Sequence, residues 1–390
     1  MVNGRVYVPS MWRWFVRVFT VCMCLSGLFY YLWFAPNLAR PEELIATNEA
    51  LFKPKISSRC RQWNSTKYLC LPNAMLIGAS KSGTTSAFQY LRFHPNIDHI
   101  RRRVIKRDRF NEVHRFDNAW YPYYAKSLSL AFEWASAPLM DSTNATVIHY
   151  TPHYIYAPSV PYDVRDFYPH HSKMKFVLLL RNPVQRALSS YWFKNSERFI
   201  GKDKGSIENF KKDFMEEKRI RKNYEECMAA SPYIPYKKHR LLTPTERRSN
   251  FYILQNCFGK EFRSGKLGLR HIDKSIYVDQ LDRWLQNFRR DQFIIISYED
   301  WMENPLKHYE RLISFLGQQL VGPRGFNSYD DLSFLNKNYL STTNKQKTSL
   351  PPELSQELEC YFRPYNERLN MLLGYEIFST NVTGCRSHNA

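Results

Sequence analysis

The chain has 390 residues, of which 44% are hydrophobic and 16% aromatic. That is enough apolar material for a large core, so a mainly disordered chain is excluded. Only 14 glycines occur and no heptad pattern is visible, which excludes collagen-like and coiled-coil rods. The 56 Lys and Arg residues exceed the 36 Asp and Glu residues, for a net charge of +20. This charge favours an anionic partner: nucleic acid, a membrane surface or an acidic substrate.

The first predicted element is a transmembrane helix at residues 18–35. The segment is apolar on all sides, carries no charge and is just long enough to cross a bilayer. The arginines of the preceding tail, residues 1–17, place the N-terminus in the cytoplasm and the bulk of the chain in a lumen. A cleaved signal peptide is the alternative, which the bulky Trp33 and Phe34 disfavour because cleavage sites require small residues.

Cysteine usage agrees with a lumenal location, because an even number of cysteines follows the predicted anchor. These are Cys60, Cys70, Cys227, Cys257, Cys360 and Cys385. They allow up to three disulfides, of which Cys60 with Cys70 would close a short loop, and free buried thiols are the alternative. Sequons for N-glycosylation occur at Asn64, Asn144 and Asn381. No Cys or His spacing is typical of zinc, so we predict no metal site.

After a stem at residues 36–72 that is rich in proline and polar residues, residues 73–390 are expected to form one lumenal domain. Short apolar runs predict strands at 74–78, 175–180 and 293–297. Apolar residues recur at helical spacing between them. Wholly apolar strands that alternate with helices predict an α/β fold, in which helices cover both faces of a parallel sheet.

The first predicted strand leads directly into a glycine-rich segment, Gly78-Ala-Ser-Lys-Ser-Gly-Thr-Thr85, and a helix follows. In a P-loop of this kind the glycines allow a tight turn, and backbone amides, the helix N-terminus, a lysine and hydroxyls surround a phosphate. Nucleotide kinases have a lysine directly after the second glycine, whereas here Lys81 precedes that glycine and Thr84 follows it. An ordinary strand-to-helix turn is the alternative for the loop considered alone.

A second anion site is predicted where the strand 175–180 ends in Arg181-Asn182-Pro183. The carboxyl end of a parallel strand is the edge where ligands usually bind in such sheets. An arginine fork suits a phosphate, and so does a hydroxyl such as that of Ser189 on the following helix. A helix start with a surface arginine is the alternative interpretation.

Together, the segments GASKSGTT and LLLRNPVQRALSSY resemble the two cofactor signatures of sulfotransferases that use 3′-phosphoadenosine 5′-phosphosulfate (PAPS). The resemblance spans approximately residues 73–378. It implies that the first loop binds the 5′-phosphosulfate through Lys81, Ser82, Gly83, Thr84 and Thr85. It also implies that Arg181 and Ser189 bind the 3′-phosphate.

Residues 111–117, NEVHRFD, resemble the NEVHFFD segment of heparan sulfate 3-O-sulfotransferases. A related segment occurs in the sulfotransferase that 6-sulfates 4-sulfated N-acetylgalactosamine. A sugar hydroxyl that attacks sulfur must lose its proton to a base, and a lysine stabilises the charge on the departing phosphate. The resemblance therefore implies that Glu112 is the base, His114 its helper or an acceptor contact, and Lys81 the electrostatic catalyst. It implies no metal.

Two segments depart from the family pattern. Tyr150 stands where the 3-O-sulfotransferases have the lysine of their EKTPAY segment, which bears on the acceptor contact. Residues 341–345 are a poor match to the family's C-terminal lysine-glycine loop. By contrast, Ser275 and Tyr277 resemble the Ser and Tyr that open the helix beneath the cofactor in the family, although a capped amphipathic helix explains them equally well.

The sequence thus predicts a single-pass type II enzyme of the Golgi membrane, with a P-loop-containing α/β domain in the lumen. The expected donor is PAPS, and the expected acceptor is an anionic polysaccharide of the chondroitin, dermatan or heparan sulfate type. The basic run 101–109 directly precedes Glu112 and would attract such a polyanion, while a lumenal location argues against nucleic acid. A P-loop kinase-like phosphotransferase and a catalytically inactive glycan-binding relative are the alternatives.

Overall fold

The computed structural model describes residues 59–100, 112–117, 139–195, 205–259, 271–321 and 349–385, apart from Trp63, Pro169, Lys238 and His239. All of them belong to one unit, Ile56–Ala390. The predicted anchor at 18–35, the basic run 101–109 and the segment 341–345 lie outside the described residues. Within the described ranges, no helix combines the length and the apolar character needed to cross a bilayer.

The strands of the described residues form a five-stranded and a three-stranded sheet. They are β1 (Cys60–Gln62), β2 (Tyr68–Cys70), β3 (Ala74–Gly78), β4 (Ile97–His99), β5 (Leu139–Met140), β6 (Thr146–Tyr150), β7 (Lys175–Leu180) and β8 (Phe293–Ser297). The larger sheet has the order β4-β6-β3-β7-β8, and all its neighbours are parallel. The smaller sheet, β1-β2-β5, is antiparallel. The three predicted strands coincide with β3, β7 and β8, which confirms the parallel α/β prediction.

Helices connect and cover these strands. They are α1 (Thr84–Phe93), α2 (Val160–Phe167), α3 (Pro183–Lys194), α4 (Ile207–Ala229), α5 (Pro244–Phe258), α6 (Tyr277–Asn287), α7 (Tyr298–Glu303), α8 (Pro305–Leu316) and α9 (Pro352–Leu373). A short 3-10 turn, Asp273–Ser275, precedes α6. The helices α1, α3 and α7 each begin within a few residues of the end of a strand of the larger sheet, so their N-termini lie at its carboxyl edge.

Both faces of the larger sheet are buried, because successive side chains of a strand point to opposite faces. On β3, Met75 and Ile77 pack into one apolar core together with residues of α6 and α9. Leu76 packs into a second core with residues of α1 and α8. This burial on two faces explains why the sequence of β3 is apolar throughout.

The strand order creates a crevice at the carboxyl edge of the larger sheet. The central strand β3 pairs with β6 on one side and with β7 on the other. This arrangement is a topological switch point, where the connections that follow adjacent strands run to opposite faces of the sheet and leave space for a ligand between them. The residues that follow these three strands, Ala79, Thr151 and Arg181, therefore border the same crevice.

The described cysteines are joined in three disulfides: Cys60–Cys70, Cys227–Cys257 and Cys360–Cys385. The first joins facing residues of β1 and β2, the second links α4 to α5, and the third ties the end of the described chain to α9. The expected short loop is confirmed, and the alternative of free thiols is wrong for these six cysteines. The sequon asparagines Asn64, Asn144 and Asn381 are all exposed.

Candidate active site

The loop between β3 and α1 is shaped by two residues with left-handed backbone conformations. Lys81 has a φ of 75° and Gly83 a φ of 78°. A Cβ atom on Gly83 would lie 2.8 Å from Cδ2 of Tyr298, so only glycine fits this position. The amide of Ala79 donates to the carbonyl of Leu179 on β7 at 2.7 Å, which fastens the loop to the neighbouring strand. The amides of the first turn of α1 have no partner within the helix and are available to an anion at this loop.

Arg181 is brought against this loop although it lies 100 residues further along the chain. Its Nη1 donates to the carbonyl of Lys81 at 3.3 Å, and its guanidinium carbon lies 4.7 Å from the ring centre of Tyr298. The hydroxyl of Tyr277 donates to the Arg181 carbonyl at 2.8 Å. Asn182 caps α3 by accepting from the amide of Val184 at 3.1 Å, so the helix begins directly after Arg181 and Asn182.

The residues at the loop fit a phosphorylated ligand. Nε of Arg181 is buried and has no hydrogen-bond partner within the described part of the chain, so it is a donor that a phosphate oxygen would satisfy. Ser189 is half-buried on α3, and no hydrogen bond joins it to Arg181 in the described ranges. The roles expected of the loop residues and of Ser189 therefore remain predictions.

Arg186 is a residue of this region to which the sequence reasoning assigned no role. It is 1% exposed, and its Nε donates to Oγ of Ser275 at 2.6 Å. Its Nη1 donates to the carbonyl of Ser80 in the loop at 3.4 Å, and Nη2 donates to the carbonyl of His271. Burial lowers the pKa of Arg186. Arg186 thus connects the loop, α3 and the turn before α6. Its position between the apolar Val184 and Ala187 of α3 is the sequence signal that could have indicated a buried arginine.

Lys81 points towards the end of α3. Its Nζ lies 3.8 Å from the ring centre of Phe193, close enough for a cation–π contact. The loop therefore presents a positive charge on the side of α3.

On the β6 side, Glu112, His114 and Asp117 form a hydrogen-bonded triad. Nε2 of His114 lies 2.8 Å from Oε2 of Glu112, and Nδ1 lies 2.8 Å from Oδ2 of Asp117. The side chain of Glu112 is 24% exposed, and that of Asp117 is 4% exposed. The histidine thus joins a solvent-accessible carboxylate to a buried one.

The charges of this triad favour a protonated histidine. Burial opposes the charged ring, but the hydrogen bonds and charges of Asp117 and Glu112 outweigh it and raise the pKa of His114 to about 10. The pKa of Asp117 is lowered, because the interaction with His114 outweighs the burial of the carboxylate. At neutral pH His114 is therefore an imidazolium that lies between the side chains of Glu112 and Asp117.

Backbone hydrogen bonds hold the triad at the crevice. The amide of Val113 donates to the carbonyl of Tyr150 at 3.1 Å, and the amide of His114 donates to Oγ1 of Thr151 at 3.1 Å. The hydroxyl of Tyr154 accepts from the amide of Arg115 at 2.7 Å. The triad is thereby fixed at the carboxyl end of β6, which is the neighbour of β3 and its loop.

A comparison with protein families decides the family of this chain. The model of the family described as "Sulfotransferase domain" matches residues 71–363. The chain belongs to the sulfotransferase domain family. The family match and the relatives below support a sulfotransferase enzyme.

Several curated sulfotransferases are similar to this family member. The chain is 29% identical to the membrane-associated sulfotransferase kil1 of Dictyostelium discoideum, over 83% of this chain and 70% of that one. It is 24% identical to mouse carbohydrate sulfotransferase 15, over 80% of this chain and 55% of the relative, so it spans only about half of that protein. It is 23% identical to mouse heparan sulfate glucosamine 3-O-sulfotransferase 5, over 78% of this chain and 72% of that one.

Among solved structures, a sulfotransferase from Alicyclobacillus acidocaldarius is similar, with a TM-score of 0.47 and 19% identity, over 79% of this chain and 98% of that one. The sulfotransferase domain of the curacin biosynthetic pathway is similar with a TM-score of 0.34 and 12% identity, over 79% of this chain and 99% of that one.

Tyr150, the residue that departs from the 3-O-sulfotransferase pattern, supports the loop of this sulfotransferase. It is 1% exposed, and its hydroxyl lies 3.0 Å from Oγ1 of Thr85. Its ring stacks on that of Phe88 with 4.2 Å between the ring centres. The side chain of Tyr150 is thus directed towards α1.

Proposed function

We propose that this protein transfers a sulfuryl group from PAPS to a sugar hydroxyl of an anionic glycan by in-line attack, with Glu112 as the base. The observation that carries the proposal is the neighbourhood of β3 and β6 in the sheet. The loop after β3 and the accessible carboxylate of Glu112 therefore lie at the ends of adjacent strands, which supports a transfer between a donor at the loop and an acceptor at Glu112.

The donor, when bound, supplies an activated sulfuryl group. Lys81, Ser82, Gly83, Thr84 and Thr85 would hold its 5′ side through the loop amides, hydroxyls and ammonium, and Arg181 and Ser189 would hold its 3′-phosphate. Within the described ranges no cluster of His, Cys, Asp and Glu could hold a metal ion, and the absence of a metal requirement remains a prediction.

The chain's own residues account for the proton transfer. Oε1 or Oε2 of Glu112 accepts the proton of the acceptor hydroxyl, which makes that oxygen a stronger nucleophile. The imidazolium of His114 holds the carboxylate in place, and Asp117 holds the imidazolium. The ammonium of Lys81 compensates the negative charge that develops on the phosphate of the departing group.

The proposal extends to the location and the domain boundaries. Residues 1–17 would be cytoplasmic, 18–35 would anchor the chain in the Golgi membrane, 36–72 would be a stem and 73–390 the lumenal domain. The three disulfides and the exposed sequons support an oxidising lumen. Acceptors of the chondroitin, dermatan or heparan sulfate type are favoured by the net charge of +20 and by the names of the carbohydrate-modifying relatives.

The test is an incubation of the full-length protein with ³⁵S-labelled PAPS and a panel of chondroitin, dermatan and heparan sulfates, followed by disaccharide analysis. We expect label in one class of chain and in one type of disaccharide. Glycan binding without transfer would contradict the proposal and favour an inactive relative. Transfer of phosphate from ATP with a Mg²⁺ requirement would favour the kinase alternative.

A further inference from the structure

Lys274 is a half-buried cation at the crevice that the proposed mechanism does not use. It lies in the turn before α6, directly before Ser275, whose Oγ accepts from Arg186. Arg186 in turn donates to the carbonyl of Ser80 in the loop. Lys274 is thus connected to the loop through its neighbour Ser275 and through Arg186.

On its other side, Lys274 reaches the segment that follows β6. Its Nζ lies 4.9 Å from the ring centre of Tyr156. The ring of Tyr156 lies 5.8 Å from that of His153, which lies 6.4 Å from that of His114. This row of rings connects Lys274 with the triad, so the lysine is linked to the loop on one side and to the segment that follows β6 on the other.

The positive charge around Lys274 is only partly balanced by nearby acids. Arg186 and Lys194 of α3 lower the pKa of Lys274. The acids that act on Lys274, Glu217 and Asp273, also accept hydrogen bonds from other groups. Glu217 of α4 accepts from the amides of Ile272 and Asp273 at 2.8 and 2.9 Å. Asp273 accepts from the hydroxyl of Tyr156 at 2.7 Å.

No ion pair between Lys274 and an acid occurs in the described part of the chain. Burial, reinforced by Arg186 and Lys194, lowers the pKa of Lys274 to about 7. Burial also raises the pKa of Glu217 to about 7, which weakens it as a counter-ion. A partly buried cation that lacks a counter-ion is stabilised when an anion binds to it.

We propose that the ammonium of Lys274 binds an anionic substituent, a sulfate or a carboxylate, of the acceptor glycan next to the hydroxyl that reacts. The inference rests on the proposed function and adds a residue that determines acceptor specificity. The same position could serve a phosphate of the donor, and the experiment separates these two sources. Since Tyr150 is directed into the loop, Lys274 supplies the cation that the acceptor side requires.

The test compares Lys274→Met and Lys274→Arg with Lys307→Met, an exposed lysine of α8 as the matched control. Each full-length protein is titrated calorimetrically with chondroitin sulfate, with heparan sulfate and with adenosine 3′,5′-bisphosphate. For the glycan that the wild type binds, we expect K274M to raise the Kd about tenfold or more. Its Kd for adenosine 3′,5′-bisphosphate should stay within about twofold, and K274R and K307M should resemble the wild type.

The pH dependence gives a second readout. The wild type should bind the glycan more weakly as the pH rises above about 7, because a lysine that has lost its proton must regain it to bind an anion. K274R should lose this dependence, since a guanidinium stays charged. Unchanged thermal unfolding of K274M would show that the loss of affinity is not a folding defect. If K274M is destabilised, the pH profile of K274R compared with that of the wild type decides instead.

The outcomes distinguish this inference from the proposed function. An unchanged glycan Kd in K274M, or a wild type that binds neither glycan, would overturn the role of Lys274. A rise confined to the Kd of adenosine 3′,5′-bisphosphate would assign Lys274 to the donor. Glycan binding that depends on Lys274, without any sulfate transfer by the wild type, would uphold the site and reject the proposed reaction.

Discussion

The carboxylate of Glu112 accepts a hydrogen bond from the imidazolium of His114, with 2.8 Å between Oε2 and Nε2. The other ring nitrogen lies 2.8 Å from Oδ2 of Asp117, which is buried. The accessible carboxylate of Glu112 is therefore held in one orientation by His114, and the buried Asp117 in turn fixes His114. A base used for in-line transfer requires such a fixed position, because proton transfer depends on the geometry of the hydrogen bond.

The first prediction concerns Glu112. We expect Glu112→Gln to lower kcat by about 10²- to 10⁴-fold, because the amide keeps the shape of the side chain and cannot accept the proton. The measurement is the initial rate of ³⁵S transfer to the best glycan of the panel. Glu303→Gln, an exposed glutamate of α7, is the control and should keep the wild-type rate. An E112Q protein that is as active as the control would remove Glu112 from the mechanism.

The second prediction concerns the contribution of His114 to stability. Its pKa is raised from 6.5 to about 10 in the folded protein. A raised pKa contributes stability that is fully present below pH 6.5 and is lost as the pH rises towards 10. We therefore expect the difference in unfolding free energy between wild type and His114→Gln, measured with urea, to shrink over this pH interval. A constant difference would mean that the ring does not change its charge there.

The third prediction concerns Gly83. We expect Gly83→Ala to destabilise the protein by about 1–3 kcal/mol, since its φ is positive and the new Cβ would meet Tyr298. The variant should also lose binding of adenosine 3′,5′-bisphosphate, measured by calorimetry, because the loop has to move. Gly259 also has a positive φ, but a Cβ atom there would meet no atom within 4 Å, so G259A is a control that adds a positive-φ alanine without a clash. Equal nucleotide affinities in the two variants would contradict the role of the loop.

The fourth prediction concerns Arg181. We expect Arg181→Lys to raise the Kd for adenosine 3′,5′-bisphosphate about tenfold, because lysine cannot replace the forked donors of the guanidinium. The Kd for 5′-AMP, which has no 3′-phosphate, should change much less. Arg311→Lys on α8 is the matched control. A similar rise for both nucleotides would place Arg181 near the 5′ side instead.

The strands and the P-loop were predictable because their signals are local. The apolar runs at 74–78, 175–180 and 293–297 became β3, β7 and β8. The strand β6 was missed, because its sequence contains Thr146 and His149, which are polar although buried. Oγ1 of Thr146 accepts from Gln318 at 3.0 Å, and Nε2 of His149 lies 2.9 Å from the hydroxyl of Tyr154. Only the folded chain provides these partners.

The local sequence by itself determined the class of fold, the glycine-rich loop after β3 and the candidate residues Lys81, Arg181 and Glu112. These depend on the period of apolar residues and on backbone-permissive glycines, which neighbouring residues largely decide. The tertiary structure alone decided that Arg181 contacts Lys81, that Thr151 holds the segment of His114 at the end of β6, and that Arg186 links the loop to Ser275, next to Lys274. Such contacts join residues far apart in the chain, and they depend on the order of strands in the sheet, which no local pattern contains.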